Sequence, residues 1–264
     1  MNNMELIEKL HNRERLYGSL LTNPCVHMLD YVKDTGMDMV FMDSEHIPND
    51  RIVMSMMCHN YQAIGMSTFI RIPSPDPFKA SQMLDGGVDG ILVPYMEKLD
   101  DVRRMVAAVK YRPLKGEKLE KLLSGELELT EEEKTYLKDF NKGKYLFINI
   151  ESVKGIENLP EILQIPGIDG IIVGPHDLSV SLGIGEQYER PEFDAAIRKI
   201  IDICKEYNMS VGVHTPFLEL QKKWSTYGMN IVMHSCDMLI YTKYLRKEFN
   251  EIRAANGEPL LEEI

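Results

Sequence analysis

The sequence predicts an α/β protein folded as a (β/α)8 barrel, or TIM barrel, with an extra C-terminal helix. Eight short runs of β-branched and apolar residues have the composition of strands buried on both faces of a parallel sheet. Amphipathic helical stretches separate these runs, which is the pattern of repeated strand–helix units. The sequence lacks the glycine-rich nucleotide loop that is typical of a doubly wound open sheet.

The predicted strands are spaced so that a helix fits between consecutive strands. They are Tyr17–Leu21, Met39–Met42, Ser67–Arg71, Gly90–Pro94, Tyr145–Ile150, Gly170–Val173, Val211–His214 and Ile231–His234. In a barrel of this kind the carboxyl ends of all strands open onto one face. Polar residues that follow different strands are therefore expected to share one site.

Residues of the types that cap helices lie between the predicted strands. The expected caps are Asn49 or Asp50 before Arg51, Asp76 before Pro77, and Asp100 before Asp101–Lys110, while Arg190-Pro-Glu192 is expected to open a helix that ends near Asn208. These positions predict helices on the outside of the barrel.

Two segments depart from the regular alternation. Residues 114–144 are dense in Lys and Glu and link the fourth and fifth strands. They predict either a solvated helical excursion, or a lid or subunit contact, and our hypothesis is a mobile flap over the site. Residues 242–256 predict a charged amphipathic helix that closes the barrel or packs on a neighbouring subunit. We expect residues 1–264 to form a single domain.

Composition narrows the class of protein. The net charge of −11 argues against binding to nucleic acid or to an anionic membrane surface. Four widely spaced cysteines without a C-x-x-C pair indicate packing thiols. The N-terminus lacks the features of a signal peptide, and no apolar run reaches the ~18–20 residues of a membrane span. A cytoplasmic, soluble protein is expected.

Two carboxylates follow predicted buried strands. Glu151 ends the run Phe-Ile-Asn-Ile-Glu, and Asp177 ends Gly-Ile-Ile-Val-Gly-Pro-His-Asp. Two hard oxygen ligands at one barrel face, with no cysteine beside them, make a divalent-cation site plausible. Each also has a simpler explanation, since Glu151 could cap the following helix, where the helix dipole favours a negative charge, and Asp177 could form a cap before Leu178.

The second and third strands also end in polar residues. Asp43 and His46 follow the second strand, and Arg71 ends the third. Taken singly, His46 could be an ordinary loop histidine and Arg71 a structural ion-pair partner. Their joint position at strand ends favours a site. His214 and His234 also end strands, and in the absence of a clear partner we expect packing or rim roles for them.

At these residues the sequence resembles the HpcH/HpaI aldolase/citrate lyase family, whose members include metal-dependent pyruvate aldolases. The resemblance runs from about Gly18 to His214. The motifs that carry it are Asp43-Ser-Glu45-His46-Ile-Pro48-Asn49-Asp50, Arg71-Ile-Pro73, Ser81-Gln82-Met-Leu84-Asp85-Gly-Gly87, Leu92-Val-Pro94-Tyr-Met96, Asn149-Ile-Glu151 and Gly174-Pro-His176-Asp177-Leu-Ser179.

The resemblance implies a set of roles for these residues. It implies that Glu151 and Asp177 ligate Mg²⁺, Mn²⁺ or Co²⁺, that His46, oriented by Asp43, transfers protons, and that Arg71 faces the substrate's keto oxygen. It further implies that Asp85 orients the site indirectly or across a subunit boundary. The implied substrate-binding residues are Arg71, Asn149, Gly174, Pro175 and His176. A homo-oligomer, a trimer or hexamer, is also implied.

Several positions depart from the family pattern, so the aldehyde cannot be named from the sequence. An Arg-Gly pair expected after Tyr111-Arg112-Pro113 is missing. Asn149 replaces a glutamine, and His176 replaces a small residue. The segment Val213-His214-Thr215 differs from the usual apolar or glycine-rich seventh strand end.

The leading interpretation is a class II aldolase that cleaves 4-hydroxy-2-oxo acids reversibly to pyruvate and an aldehyde. Such a reaction needs a stabilised enolate, which either a lysine Schiff base or a metal can supply. Lys144 and Lys154 are not placed at strand carboxyl ends, so the carboxylate pair favours the metal. The alternatives are a CoA-thioester lyase or decarboxylase of the same superfamily, and a non-catalytic barrel that serves as a binding module.

Overall fold

The computed structural model of the protein describes residues 3–262. Over this range eight parallel strands form a closed barrel, in which each strand pairs with its sequence neighbours and the eighth pairs with the first. They are β1 (Leu16–Leu20), β2 (Met39–Asp43), β3 (Ser67–Arg71), β4 (Gly90–Val93), β5 (Tyr145–Ile150), β6 (Gly170–Val173), β7 (Val211–Thr215) and β8 (Ile231–Cys236). The predicted fold class is confirmed, and no strand bound differs from its prediction by more than two residues.

Aromatic side chains fill the inside of the barrel. The rings of Phe41 and Phe69 stack with centroids 5.0 Å apart, and Phe147 meets Phe69 edge-on at 5.1 Å. Successive side chains of a strand point to opposite faces, so the residue two positions after an inner aromatic also faces inward. This alternation places Asp43 above Phe41 and Arg71 above Phe69, at the carboxyl end of the strands, which we call the mouth.

Helices cover the outer face of the barrel, where the other strand residues pack against them. The α-helices are α1 (Asn3–His11), α2 (Leu29–Val32), α3 (Arg51–Ala63), α4 (Pro77–Asp85), α5 (Leu99–Lys110), α6 (Gly116–Ser124), α7 (Glu131–Phe140), α8 (Val153–Ile162), α9 (Pro175–Ser181), α10 (Pro191–Glu206), α11 (Leu218–Tyr227) and α12 (Asp237–Ala255).

The predicted caps are confirmed at two helices and wrong at one. The Asp50 carboxylate accepts a hydrogen bond from the backbone N of Val53 at 2.9 Å, and Asp76 accepts one from Phe78 N at 2.8 Å. The helix α5 begins at Leu99, two residues before the start that an Asp100 cap requires. Asp100 lies in its first turn, where it pairs with an arginine one turn later and adds negative charge near the helix N-terminus.

The charged excursion begins at the end of the barrel opposite the mouth, because the helix α5 runs antiparallel to β4 and returns the chain to the amino ends of the strands. From there α6 packs along the outer side of α5, where Glu120 pairs with Arg104, and α7 follows. The Asn141 amide donates hydrogen bonds to the carbonyls of Lys110 and Arg112, and Leu137 is buried. The hypothesis of a flap over the chain's own mouth is therefore wrong, because α6 packs on the outer side of α5 and the end of α7 is bonded to the carbonyls after α5.

The C-terminal helix α12 is long and exposed. It extends the predicted helix by starting at Asp237, whose carboxylate accepts hydrogen bonds from the backbone N of Thr22 and Asn23 at 3.0 Å. None of its 19 residues is buried. Over the described range, no helix combines the length and apolarity that crossing a membrane requires.

Candidate active site at the barrel mouth

Asp43 and Arg71 form a buried ion pair at the mouth. The parallel register aligns them on β2 and β3. The Arg71 guanidinium donates two hydrogen bonds to the Asp43 carboxylate, from Nε to Oδ1 at 3.0 Å and from Nη2 to Oδ2 at 2.5 Å. Burial opposes ionisation of Asp43, but the hydrogen bonds and charge of Arg71 outweigh it and lower the pKa of Asp43. Both groups are therefore charged at neutral pH.

This pairing corrects the expected role of Asp43. The sequence interpretation expected Asp43 to orient His46. In the structure the Asp43 carboxylate instead accepts hydrogen bonds from Arg71 and from the backbone N of Glu45, the latter at 2.9 Å. His46 lies beyond the strand with 60% of its side chain exposed, and its Nε2 is 3.8 Å from Glu45 Oε2. The reason is geometric, because the strand register places Arg71 beside Asp43 while the chain turns away at Ser44.

Glu45 is a site residue to which sequence reasoning assigned no role, although it lies inside the motif from Asp43 to Asp50. Its side chain is only 9% exposed, and its Oε2 is 3.1 Å from Arg71 Nε. That oxygen has no hydrogen-bond partner within the described residues, since the Nε proton is directed to Asp43. A buried carboxylate oxygen without a donor is costly unless a cation or a ligand donor satisfies it.

Glu151 follows β5 and is buried in the mouth. Its Oε1 accepts a hydrogen bond from the backbone N of Tyr95 at 2.6 Å, and its Oε2 accepts one from the Asn149 amide. Burial, aided by the charge of Asp177 and opposed by the hydrogen bond from Tyr95 N, raises the pKa of Glu151 to about 7. Tyr95 was quoted in a motif without a role, and its φ of 55° orients this amide.

The residues after β6 form the adjoining wall. Gly174 caps α9, and Pro175 occupies its first turn. A Cβ at position 174 would overlap the Glu151 carboxylate, so glycine is needed for this close approach. Asp177 lies in the first turn with 40% of its side chain exposed, and the neighbouring His176 directs its Nε2 toward Glu186 Oε1 at 3.1 Å.

The donor set suits a divalent cation. The carboxylates of Asp43, Glu45 and Glu151 act on the guanidinium of Arg71, and the carboxylate of Asp177 acts on Glu151. Excess negative charge, a raised pKa at Glu151 and an unsatisfied oxygen on Glu45 are all features that a bound cation would relieve. Between residues 3 and 262, no three His, Cys, Asp or Glu side chains converge as a ready metal cluster. A cation held by two carboxylates keeps positions open for substrate and water.

Asp85 is not part of this mouth. It ends α4, which runs from the mouth to the amino ends of the strands. Its side chain is 69% exposed and pairs with Arg112. The expectation that Asp85 orients the site is wrong for the chain's own mouth, because the length of α4 separates them. A role across a subunit boundary stays a prediction.

Comparison with known proteins agrees with this geometry. A family model described as HpcH/HpaI aldolase/citrate lyase matches residues 21–224. A 2-keto-3-deoxy-L-rhamnonate aldolase from Salmonella typhi is 29% identical over 247 residues, covering 90% of this chain and 89% of the relative. A protein of the same name from Escherichia coli O157:H7 is 26% identical over 257 residues, covering 96% and 94%.

Solved structures share the barrel. An HpcH/HpaI aldolase from Desulfitobacterium hafniense DCB-2 superposes with a TM-score of 0.79 at 23% identity, covering 94% of this chain and 96% of that one. A family protein from Burkholderia cenocepacia J2315 gives 0.81 at 22% identity, covering 94% and 99%. At these identities the structures establish a common fold.

Proposed function

The chain belongs to the HpcH/HpaI aldolase/citrate lyase family, and we propose that it is a class II aldolase. The reaction is the reversible cleavage of a 4-hydroxy-2-oxo acid to pyruvate and an aldehyde. The observation that carries the proposal is the half-buried Arg71 among carboxylates at the mouth, with Glu45 Oε2 beside it but without a hydrogen bond within the described residues. Such a site can hold a cation and a chelating keto acid together.

Glu151 and Asp177 are the proposed ligands of a divalent metal, Mg²⁺, Mn²⁺ or Co²⁺. When bound, the metal would supply Lewis-acid stabilisation of the charge that develops on the keto oxygen of pyruvate. Asn149 and the backbone N of Tyr95 hold the Glu151 carboxylate in place through its two oxygens. Their hydrogen bonds leave lone pairs on both oxygens available for a ligand bond.

Arg71 is proposed to donate to the same keto oxygen. Asp43 fixes its planar group, so little reorganisation is needed as charge develops. Gly174, Pro175 and His176 form the wall that would receive the pyruvate carboxylate. His46, exposed at the rim, would carry the proton of the aldehyde-side hydroxyl.

The substrate class follows from the named relatives. Two of them are 2-keto-3-deoxy-L-rhamnonate aldolases, whose substrate is a sugar-derived 2-keto acid. We therefore propose a hydroxylated aldehyde as the second product of this chain.

A deuterium-exchange experiment tests the reaction. Pyruvate is incubated with the protein and Mg²⁺, Mn²⁺ or Co²⁺ in D₂O, and exchange of its methyl protons is followed by NMR. Exchange without an aldehyde is expected, and it should be lost in Glu151→Gln and in excess chelator. Glu157→Gln is the matched control, because Glu157 is exposed and pairs only at the surface with Lys154.

The alternative functions predict different reaction products or no exchange at all. A decarboxylase or CoA-thioester lyase would release CO₂ from a keto diacid or cleave a thioester without forming aldol products. A barrel that serves as a binding module would exchange no pyruvate protons with any metal. Exchange at the wild-type rate in Glu151→Gln with chelator would refute the proposed metal site.

We also propose that the chain assembles into a homo-oligomer, a trimer or hexamer. The helix α12 carries exposed apolar residues that a monomer would leave in water, among them Leu239, Tyr241, Tyr244, Phe249 and Ile252. Multi-angle light scattering on wild type and on Tyr244→Glu would test this. A monomeric wild-type protein would contradict it.

A further inference from the structure

His214 faces the inside of the barrel at the mouth. It lies two positions after Gly212 on β7, where alternation directs it inward. Its ring meets the Phe41 ring edge-on with centroids 5.3 Å apart. The Cζ of Arg71 lies 5.9 Å from the centroid of that same ring. His214 and Arg71 therefore contact one inner aromatic and line the same space.

One hydrogen bond determines which ring nitrogen of His214 carries the proton. Its Nε2 is 2.9 Å from the carbonyl oxygen of Ser235, and a carbonyl only accepts, so Nε2 is the protonated nitrogen. Ser235 has a φ of 55°, which a serine rarely adopts, and this conformation sets its carbonyl beneath the imidazole. Burial lowers the pKa of His214, and the charge of Arg71 adds to the effect. The neutral imidazole then presents Nδ1 as an acceptor.

The position of His214 assigns it to one half of the substrate. The two carboxylates proposed to hold the metal follow β5 and β6, and the proposed wall for the pyruvate carboxylate also follows β6. His214 lies on β7 and bonds to Ser235 on β8, whereas Asn149 lies on β5 and Glu151 directly follows it. Arg71 borders both regions, because the charges of Glu151 and of Asp43 both act on it. The side toward His214 is thus left for the aldehyde half.

We propose that His214 is a specificity-determining residue, which accepts a hydrogen bond through Nδ1 from a hydroxyl group on the aldehyde half of the substrate. This inference rests on the proposed aldolase function. A site built to bond a hydroxyl group discriminates against the analogue that lacks it, because a buried polar atom is then left unpaired. The chain therefore selects hydroxylated aldehydes over their deoxy counterparts.

Paired aldehydes that differ by one hydroxyl group test the proposal. The ratio of kcat/KM is measured for glycolaldehyde over acetaldehyde, and for lactaldehyde over propanal, in aldol addition to pyruvate. Wild type should favour the hydroxylated member by about tenfold or more, the value of one well-placed hydrogen bond. His214→Leu should reduce the ratio to near one.

Two further variants separate the acceptor from a packing role. His214→Asn keeps a polar atom near the position of Nδ1 and should retain part of the preference. His214→Gln keeps one near Nε2, where it can still donate to Ser235, and should lose the preference. Pyruvate proton exchange without aldehyde should stay within about threefold of wild type in all three variants, because His214 does not serve the pyruvate half.

Several results would overturn the inference. A wild type without preference, a preference that survives in His214→Leu, or exchange that falls as much as aldol addition would each do so. The tautomer is checked independently on ¹⁵N-histidine-labelled protein, where a protonated Nδ1 in His214 would contradict it whatever the variants do. Absent wild-type pyruvate exchange would instead refute the aldolase function, so the two failures are distinguishable.

Discussion

Replacing Arg71 with lysine tests the ion pair on which the site is built. Arg71 donates two hydrogen bonds to Asp43, which is 3% exposed, and an ammonium group can replace only one of them. A hydrogen bond to a charged group contributes about 1.5–3 kcal/mol. The free energy of unfolding should fall by about that amount. Arg71→Ala should cost about 3–5 kcal/mol, because it leaves buried charge unpaired.

The same substitution should affect turnover more than stability. Loss of a positioned donor to a developing oxyanion commonly costs about 100–1,000-fold in rate. Urea unfolding followed by circular dichroism in chelator gives the stability, and pyruvate proton exchange with Mn²⁺ gives the rate. Arg190→Lys is the control, since Arg190 pairs with Glu192 at the surface, where such pairs contribute about 0–1 kcal/mol. If Arg71→Lys matched this control in both measurements, the ion pair would not have the proposed role.

Three further predictions follow from the contacts described above. Asp43→Asn should be less stable than wild type at pH 7, because a carboxyl whose pKa is lowered stabilises the fold above its unfolded pKa, near 3.8. That difference in urea midpoint should disappear as the pH falls through the folded pKa, and a difference independent of pH would contradict the pairing. His46→Ala should slow aldol cleavage by about 100–10,000-fold and change the unfolding free energy by less than about 0.5 kcal/mol; near-normal cleavage would require another base. Deleting Lys115–Asn141 with a short glycine linker should lower the melting temperature, because buried Leu137 is lost. It should leave aldehyde preference unchanged. An altered preference at an unchanged oligomeric state would show that the excursion contributes to the active site.

Local patterns in the sequence determined most of the architecture. Buried parallel strands appear as apolar runs, and helix starts appear as caps, so the barrel, its strand bounds and the caps at Asp50 and Asp76 could be read directly. The rule that strand ends share one face also places Arg71 and Glu151 at the mouth from the sequence alone. These inferences succeed because they depend on residues close together in the chain.

Tertiary structure alone decided which groups meet. Closure of the barrel and the register of β2 against β3 paired Asp43 with Arg71 rather than with His46, and they left Glu45 Oε2 buried without a hydrogen-bond donor within the described residues. The same closure placed His214 against Phe41 from across the lumen. The antiparallel return of each outer helix carried Asp85 away from the mouth. Such pairings join residues far apart in the chain, and they depend on distances of a few ångströms that no periodicity in the sequence encodes.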